Sequence, residues 1–167
     1  MSKFIPRQVD GLERRIAIAV SQFNESITGR LLDGAMNALR ERRVREDDIR
    51  VCRVPGAFEL PTACKWLAES REYDAVLALG AIIRGETPHF DHICAAVARG
   101  IVEVSLQTGV PVIFGVLTCD TQEQAAARTG GRGGNKGVEA ALAGLEMAAL
   151  ADALERKNPP GKAGSGA

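Results

Sequence analysis

The residues best suited to chemistry sit in one decapeptide, Gly80-Ala-Ile-Ile-Arg-Gly-Glu-Thr-Pro-His89. It leaves an apolar run and enters a helical pattern through Gly85. The amino end of a helix presents unpaired N–H groups and a partial positive charge. Glycine lets a ligand approach the backbone closely. Such a turn is a natural phosphate seat; a plain strand-to-helix turn that uses glycine for geometry alone fits the same residues. His89 falls in the first helical turn, at the mouth of that seat. Histidine exchanges protons near neutral pH, so His89 is either a proton shuttle or a capping or solvent-exposed side chain. His92 lies three residues on and can share its face. A metal site needs a third ligand, and neither another histidine nor a Cys-x-x-Cys pair supplies one. The sequence points to no metal.

Phe23 directly follows an apolar strand pattern in a chain that is only 4% aromatic, so a ring at a loop stands out. It either stacks on a planar heterocycle or covers the end of a sheet as a core side chain. Glu59 follows Gly56-Ala-Phe. It either accepts hydrogen bonds from a polyol or sits as a favourable negative charge in a first helical turn. Arg128 and Lys136 flank Arg-Thr-Gly-Gly-Arg-Gly-Gly-Asn-Lys. Arginine forks onto phosphate oxygens, although a solvated flexible loop also accounts for such a segment. Arg132 within it reads as surface.

These residues need elements to hold them. Arg15 to Ser21 reads as a β-branched strand. Ile27, Leu31, Ala35 and Leu39 recur in steps of four, which predicts a helix over about 26–43. Ile49 to Val54 is a second strand, and Pro55-Gly56 a turn. A helix over 59–69 places Leu60, Ala63, Cys64 and Leu67 on one face. Ala75 to Ile83 is apolar almost throughout, as in a strand covered on both faces in the middle of a parallel sheet. Thr87-Pro88 predicts a helix start, with Thr87 as cap and Pro88 in the first position. Phe90, Ile93, Val97, Ile101 and Val104 carry that helix to about Thr108, where Gly109 ends it. Val112 to Thr118 is the fourth strand. Thr121 to Gln124 has the form of a capping box, and Gly130 to Gly134 breaks the short helix it opens. Val138, Leu142, Leu145 and Ala149 mark the last helix.

Alternating strands and helices predict one α/β domain over 15–156, a three-layer αβα sandwich around a four-stranded parallel sheet. Residues 1–14 read as an arm and 157–167 as a disordered tail. Ligands of such sheets bind outside the carboxyl ends of the strands, where the candidate residues fall.

Composition narrows the class. Twenty-one Lys plus Arg balance 21 Asp plus Glu, which argues against a nucleic-acid grip based on bulk positive charge. No stretch approaches the about 18 consecutive apolar residues that span a bilayer, and residues 1–10 lack the apolar core of a secretory signal. The expectation is a cytoplasmic protein with neither membrane nor nucleic-acid partner. Cys52, Cys64, Cys94 and Cys119 are expected to be buried reduced thiols.

Taken singly, none of these features is specific; their order is. Ser-Gln-Phe-Asn (21–24), Val-Pro-Gly-Ala-Phe-Glu-Leu-Pro (54–61), Leu-Gly-Ala-Ile-Ile-Arg-Gly-Glu-Thr-Pro-His-Phe-Asp (79–91), Phe-Gly-Val-Leu-Thr (114–118) and Gly-Asn-Lys-Gly (134–137) occur in sequence. Across roughly residues 12 to 153 the chain resembles the lumazine synthase family. The resemblance implies a flavodoxin-like sheet and a cofactor-free transferase of riboflavin biosynthesis. Its substrates would be 5-amino-6-(ribitylamino)uracil and 3,4-dihydroxy-2-butanone 4-phosphate, and its products 6,7-dimethyl-8-ribityllumazine, phosphate and water. It also implies residue roles. Phe23 stacks on the pyrimidine, whose edge is held by backbone near Ala57, Phe58, Ala81, Ile82 and Ile83. Glu59 binds the ribityl chain. Backbone amides of Glu86 and Thr87, with Arg128, hold the phosphate. His89 shuttles protons, and Lys136 lies near the ribityl chain or the phosphate.

Assembly follows from the same resemblance. Family members form pentamers, and in many of them twelve pentamers close into an icosahedral 60-mer. Sites lie between neighbours, so Phe114 is expected in the adjacent chain's site. The arm can add a strand to a neighbour's sheet edge. The short glycine-rich form of Gly130 to Asn135 leans towards the 60-mer. Riboflavin synthase is the partner such a shell could enclose. Two relatives of the same fold are the competing readings: an archaeal-type riboflavin synthase that dismutates lumazine, and a catalytically inactive shell or flavin-binding protein. The full Arg84–Phe90 block favours lumazine synthase over the first. The presence together of Phe23, Glu59, His89 and Arg128 argues against the second. A flavodoxin-like signalling module would carry acidic residues where Gln22, Phe23 and Asn24 stand.

Overall fold

The computed structural model describes residues 1–154, so the tail expected to be disordered, 157–167, lies outside them. Four parallel strands, β1 (Ile16–Ser21), β2 (Ile49–Val54), β3 (Ala75–Ile83) and β4 (Val112–Cys119), form one sheet in the order β2-β1-β3-β4. The expected three-layer sandwich is present. α1 (Glu25–Glu41) and α5 (Lys136–Ala153) cover one face; α2 (Leu60–Glu69) and α3 (His89–Thr108) cover the other. Between β4 and α5 lie α4 (Gln122–Ala127) and a small antiparallel hairpin, β5 (Thr129–Gly131) and β6 (Gly134–Asn135). The glycine break thus folds as a turn of its own.

The strand alternation explains the layering. On β1, Ile16, Ile18 and Val20 face α1 and α5, whereas Ala17 and Ala19 face α2 and α3. All five are fully buried, as a central strand requires. β3 lies between β1 and β4, in the middle position its apolar run predicts. Ile27, Leu31, Ala35 and Leu39 form the buried stripe of α1. Gly109 ends α3 at φ +73, a left-handed position that glycine takes without strain.

Three local expectations need correction. Thr87 does not cap α3: the helix begins at His89 with Pro88 at its N-cap and no side-chain cap bond. Helical φ at Pro88 leaves Thr87 Oγ1 only a long 3.4 Å contact with the His89 N–H. α2 likewise starts at Leu60, after a 3-10 turn over Ala57–Glu59. On α5 the predicted stripe holds only in part: Leu145 is fully buried and Val138 packs against the core half-buried, but Leu142 and Ala149 lie outside the buried face. Around Leu145 that face is made of Gly137, Ala140, Ala141, Gly144 and Ala148. The sheet beneath carries long side chains, and a Cβ on Gly144 would come within 2.8 Å of Leu77 Cδ2. Small residues let the helix lie close, and of its leucines only Leu145 reaches the core in full.

Residues 1–14 hold no helix or strand. They are tied to the chain's own helical face by ion pairs of Arg7 with Glu146, Asp10 with Arg43 and Arg14 with Asp152. No helix among the described residues is long and apolar enough to cross a membrane.

All four cysteines are free thiols. Burial, reinforced by neighbouring Cys52, pushes Cys64 up to about 12, and burial also raises Cys94 and Cys119. The thiolate is the reactive form. Alkylation of the native protein at pH 8 is therefore expected to leave Cys64 unlabelled. Unfolding without reductant should release four reactive thiols; fewer would mean a disulfide in solution.

Candidate active site

A cavity of about 290 Å³ opens at the carboxyl ends of β1 and β3. Its geometry begins with strand register. β1 pairs with β3 only as far as Val20 opposite Leu79, whereas β3 continues to Ile83. Beyond Leu79, the β1-facing backbone edge of β3 therefore lines open space. Asn24 takes one group on that edge: held at φ +62, it donates from Nδ2 to the Ala81 carbonyl at 3.0 Å. Ala81, Ile82 and Ile83 line this wall, and Ala57, Phe58 and Glu59 the wall opposite.

Phe23 and Phe58 stand on the rim, 72% and 59% exposed. That exposure removes the reading of Phe23 as a core side chain and leaves its face free to stack. Its N–H is fixed by the Pro55 carbonyl at 3.0 Å. Glu59 Oε2 accepts from the Gly56 N–H at 3.0 Å, an N-terminal cap that orients the carboxylate at the cavity edge.

Gly85, Thr87 and His89 complete the mouth. Among the described residues, the N–H groups of Gly85, Glu86 and Thr87 have no hydrogen-bond partner. The uncapped start of α3 thus leaves a run of free donors. A Cβ on Gly85 would meet nothing within 4 Å, and its φ is not positive. The turn itself does not demand glycine there, and Gly85 lines the cavity. Glu86 is exposed and does not line the cavity, so only its backbone serves that loop.

Phe114, Arg128 and Lys136 are elsewhere. They line a second cavity of about 670 Å³ along the open edge of β4, with Gln124 and Glu139. The two cavities share no residue. The cations are brought together locally: the Lys136 N–H donates to the Arg128 carbonyl at 2.9 Å across the β5–β6 hairpin. Lys136 Nζ pairs with Glu139 at 3.5 Å, whereas the Arg128 guanidinium has no acidic partner among the described residues. An unpaired guanidinium in a cavity is suited to an anion.

Sequence reasoning gave no place in the site to Asn24, Phe90, Ile93, Gln124 or Glu139, all of which line the cavities. An Asn just before a helical pattern, where left-handed backbone is tolerated, was the available signal for Asn24. Phe90 and Ile93 were legible only as core periodicity. Among the described residues, no group of three or more His, Cys, Asp or Glu is placed to hold a metal ion.

The chain folds as a flavodoxin-like α/β protein with a cavity at the carboxyl ends of a parallel sheet, where ligands of such sheets bind. Residues 13–152 match the family model of 6,7-dimethyl-8-ribityllumazine synthase, and the chain belongs to that family. Membership implies a place in riboflavin biosynthesis.

Proposed function

We propose that the chain condenses 5-amino-6-(ribitylamino)uracil with 3,4-dihydroxy-2-butanone 4-phosphate to 6,7-dimethyl-8-ribityllumazine, phosphate and water. The observation that carries this reading is the first cavity: a free aromatic face, an unpaired strand edge, free loop N–H groups and a histidine converge on it. Family membership supports this reading.

The pyrimidine stacks on Phe23, and its edge bonds to backbone of Ala81–Ile83 and Ala57–Phe58. Glu59 accepts from the ribityl hydroxyls. The phosphate rests on the amides of Glu86 and Thr87, beside Gly85. The amine of the pyrimidine attacks the ketone and water leaves to give an imine. A proton shift and loss of phosphate follow, and tautomerisation regenerates a carbonyl. The ribityl-bearing nitrogen closes the ring on that carbonyl with loss of a second water. Each step moves a proton, and His89 is the group placed at the mouth to carry it.

The remaining cations come from a second copy of the chain. At about 290 Å³ the first cavity is at the low end of the roughly 300–1,000 Å³ usual for small-molecule pockets. Docking the β4 edge of a neighbour against it would bring Phe114, Arg128 and Lys136 to the phosphate. Closed rings of such contacts, pentamers in this family, satisfy both half-sites on every chain.

His89→Ala is expected to lower kcat about tenfold. This is below the ~10²–10⁴-fold usual for general acid–base groups. The position is exposed, so water can replace the imidazole, and holding two substrates together supplies much of the rate. Full activity of that variant at every pH would remove His89 from the mechanism. Product analysis tests the reaction as a whole. Lumazine given alone should yield no riboflavin; riboflavin from it would assign the dismutation instead.

A further inference from the structure

Arg84 joins the loop before α3 to the strand beside it and to the first turn of the helix. Its N–H donates to the Cys119 carbonyl at 2.9 Å, extending the pairing of β3 with β4. Its Nε donates to Asp120 Oδ1 at 2.7 Å, just past the end of β4. Its Nη1 and Nη2 reach Asp91 Oδ2 and Oδ1 at 3.4 and 3.3 Å, in the first turn of α3. The guanidinium plane also lies over the Phe90 ring, 4.4 Å from its centroid. Phe90 in turn lines the first cavity.

These contacts form a chord across residues 85–88. Between its ends, the side-chain contact of the loop is the 3.4 Å approach of Thr87 Oγ1 to the His89 N–H, and its backbone is joined to α3 through the Pro88 carbonyl, which accepts from the Asp91 and His92 N–H groups at 3.0 and 3.4 Å. Among the described residues, the N–H groups of Gly85, Glu86 and Thr87 themselves have no hydrogen-bond partner to hold them. One exposed ion pair contributes little, but a planar fork engaged on two carboxylates and one ring fixes orientation as well as distance. Asp91 and Asp120 would otherwise stand uncompensated near a site built for an anion.

We propose that Arg84 is a positioning residue: it straps the loop that carries the phosphate-binding amides and His89 to the end of β4. The strap rests on the proposed reading of that loop as the phosphate seat. It touches no substrate itself. Its removal should loosen the seat and leave the pyrimidine wall, built from Phe23, Ala57–Glu59 and Ala81–Ile83, as it was.

The test compares wild type, Arg84→Ala and Arg84→Lys as assembled proteins. Arg84→Ala should raise KM for the four-carbon phosphate about tenfold, since small misplacements in a site are costly. KM for the ribitylaminouracil should not change. Lysine keeps the charge but not the fork, so Arg84→Lys should recover only part of the loss; it also carries the test if the alanine variant does not assemble. Amide hydrogen exchange over residues 85–89 should quicken in both variants. An unchanged KM for the phosphate substrate, an equal rise in both KM values, or full recovery with lysine would overturn the strap. A wild-type protein that made no lumazine would sink the proposed reaction alone. The strap would still require faster exchange at 85–89, and unchanged exchange there would overturn it.

Discussion

Gly137→Ala is expected to destabilise the fold by about 3 kcal/mol, the upper end of what overpacking commonly costs. A Cβ at that position would lie 1.9 Å from the Leu31 carbonyl oxygen. The clash is backbone of α5 against backbone of α1, so no side chain can swing aside. Asn135 adds to the constraint. Its Oδ1 accepts from the N–H groups of Gly137 and Val138, capping α5, and its Nδ2 donates to the Arg30 carbonyl at 3.2 Å. Moving α5 away from α1 would break this cap and displace Lys136. The melting temperature should fall by about 10 °C, taking roughly 2–4 °C per kcal/mol for a chain of this size. Gly29→Ala is the control. A Cβ there meets nothing within 4 Å, and glycine inside a helix costs about 0.5–1 kcal/mol relative to alanine. That variant should melt slightly higher. Equal melting of both would show that the α1–α5 contact is not tight in solution.

Arg128→Ala should raise KM for the four-carbon phosphate about 100-fold, near the upper limit of a lost charge-assisted hydrogen bond at about 3 kcal/mol. Binding of the ribitylaminouracil should hardly change, because the Arg128 cavity shares no residue with the wall that receives it. The same separation makes a sharper expectation. If the site is closed by a second copy, Arg128→Ala and Phe23→Ala damage opposite halves of it. Co-assembled variants would then contain some sites intact on both sides, and activity should exceed that of either variant alone. No recovery on co-assembly would place both residues in one chain's site, and an unchanged KM would remove Arg128 from the site.

Much of this fold is legible in the chain because strand and helix periods are local. The four strands begin and end within about a residue of where β-branched runs and turn residues put them. Tertiary geometry accounts for the rest. The large residues of α5 suggested one stripe, of which Leu145 is buried, but a sheet face already filled by Leu77 selects Gly and Ala around it. Thr87-Pro88 has the letters of a cap, yet helical backbone at Pro88 turns the hydroxyl away from that role. At the site, the exposed Phe23 resolves a choice that its position in the chain leaves open. The overrun of β3 past β1 is a matter of register, which no single strand displays. The placement of Phe114, Arg128 and Lys136 in a second cavity is likewise invisible until β4 is seen to be an edge strand.

The central claim is the condensation itself, and one measurement addresses it. Purified protein, treated with chelator, is mixed with 5-amino-6-(ribitylamino)uracil and 3,4-dihydroxy-2-butanone 4-phosphate. Lumazine fluorescence and released phosphate are followed together. The account predicts equal amounts of both products at a rate well above the uncatalysed reaction and unaffected by the chelator. Correctly folded, assembled protein that gave neither product above background would contradict it.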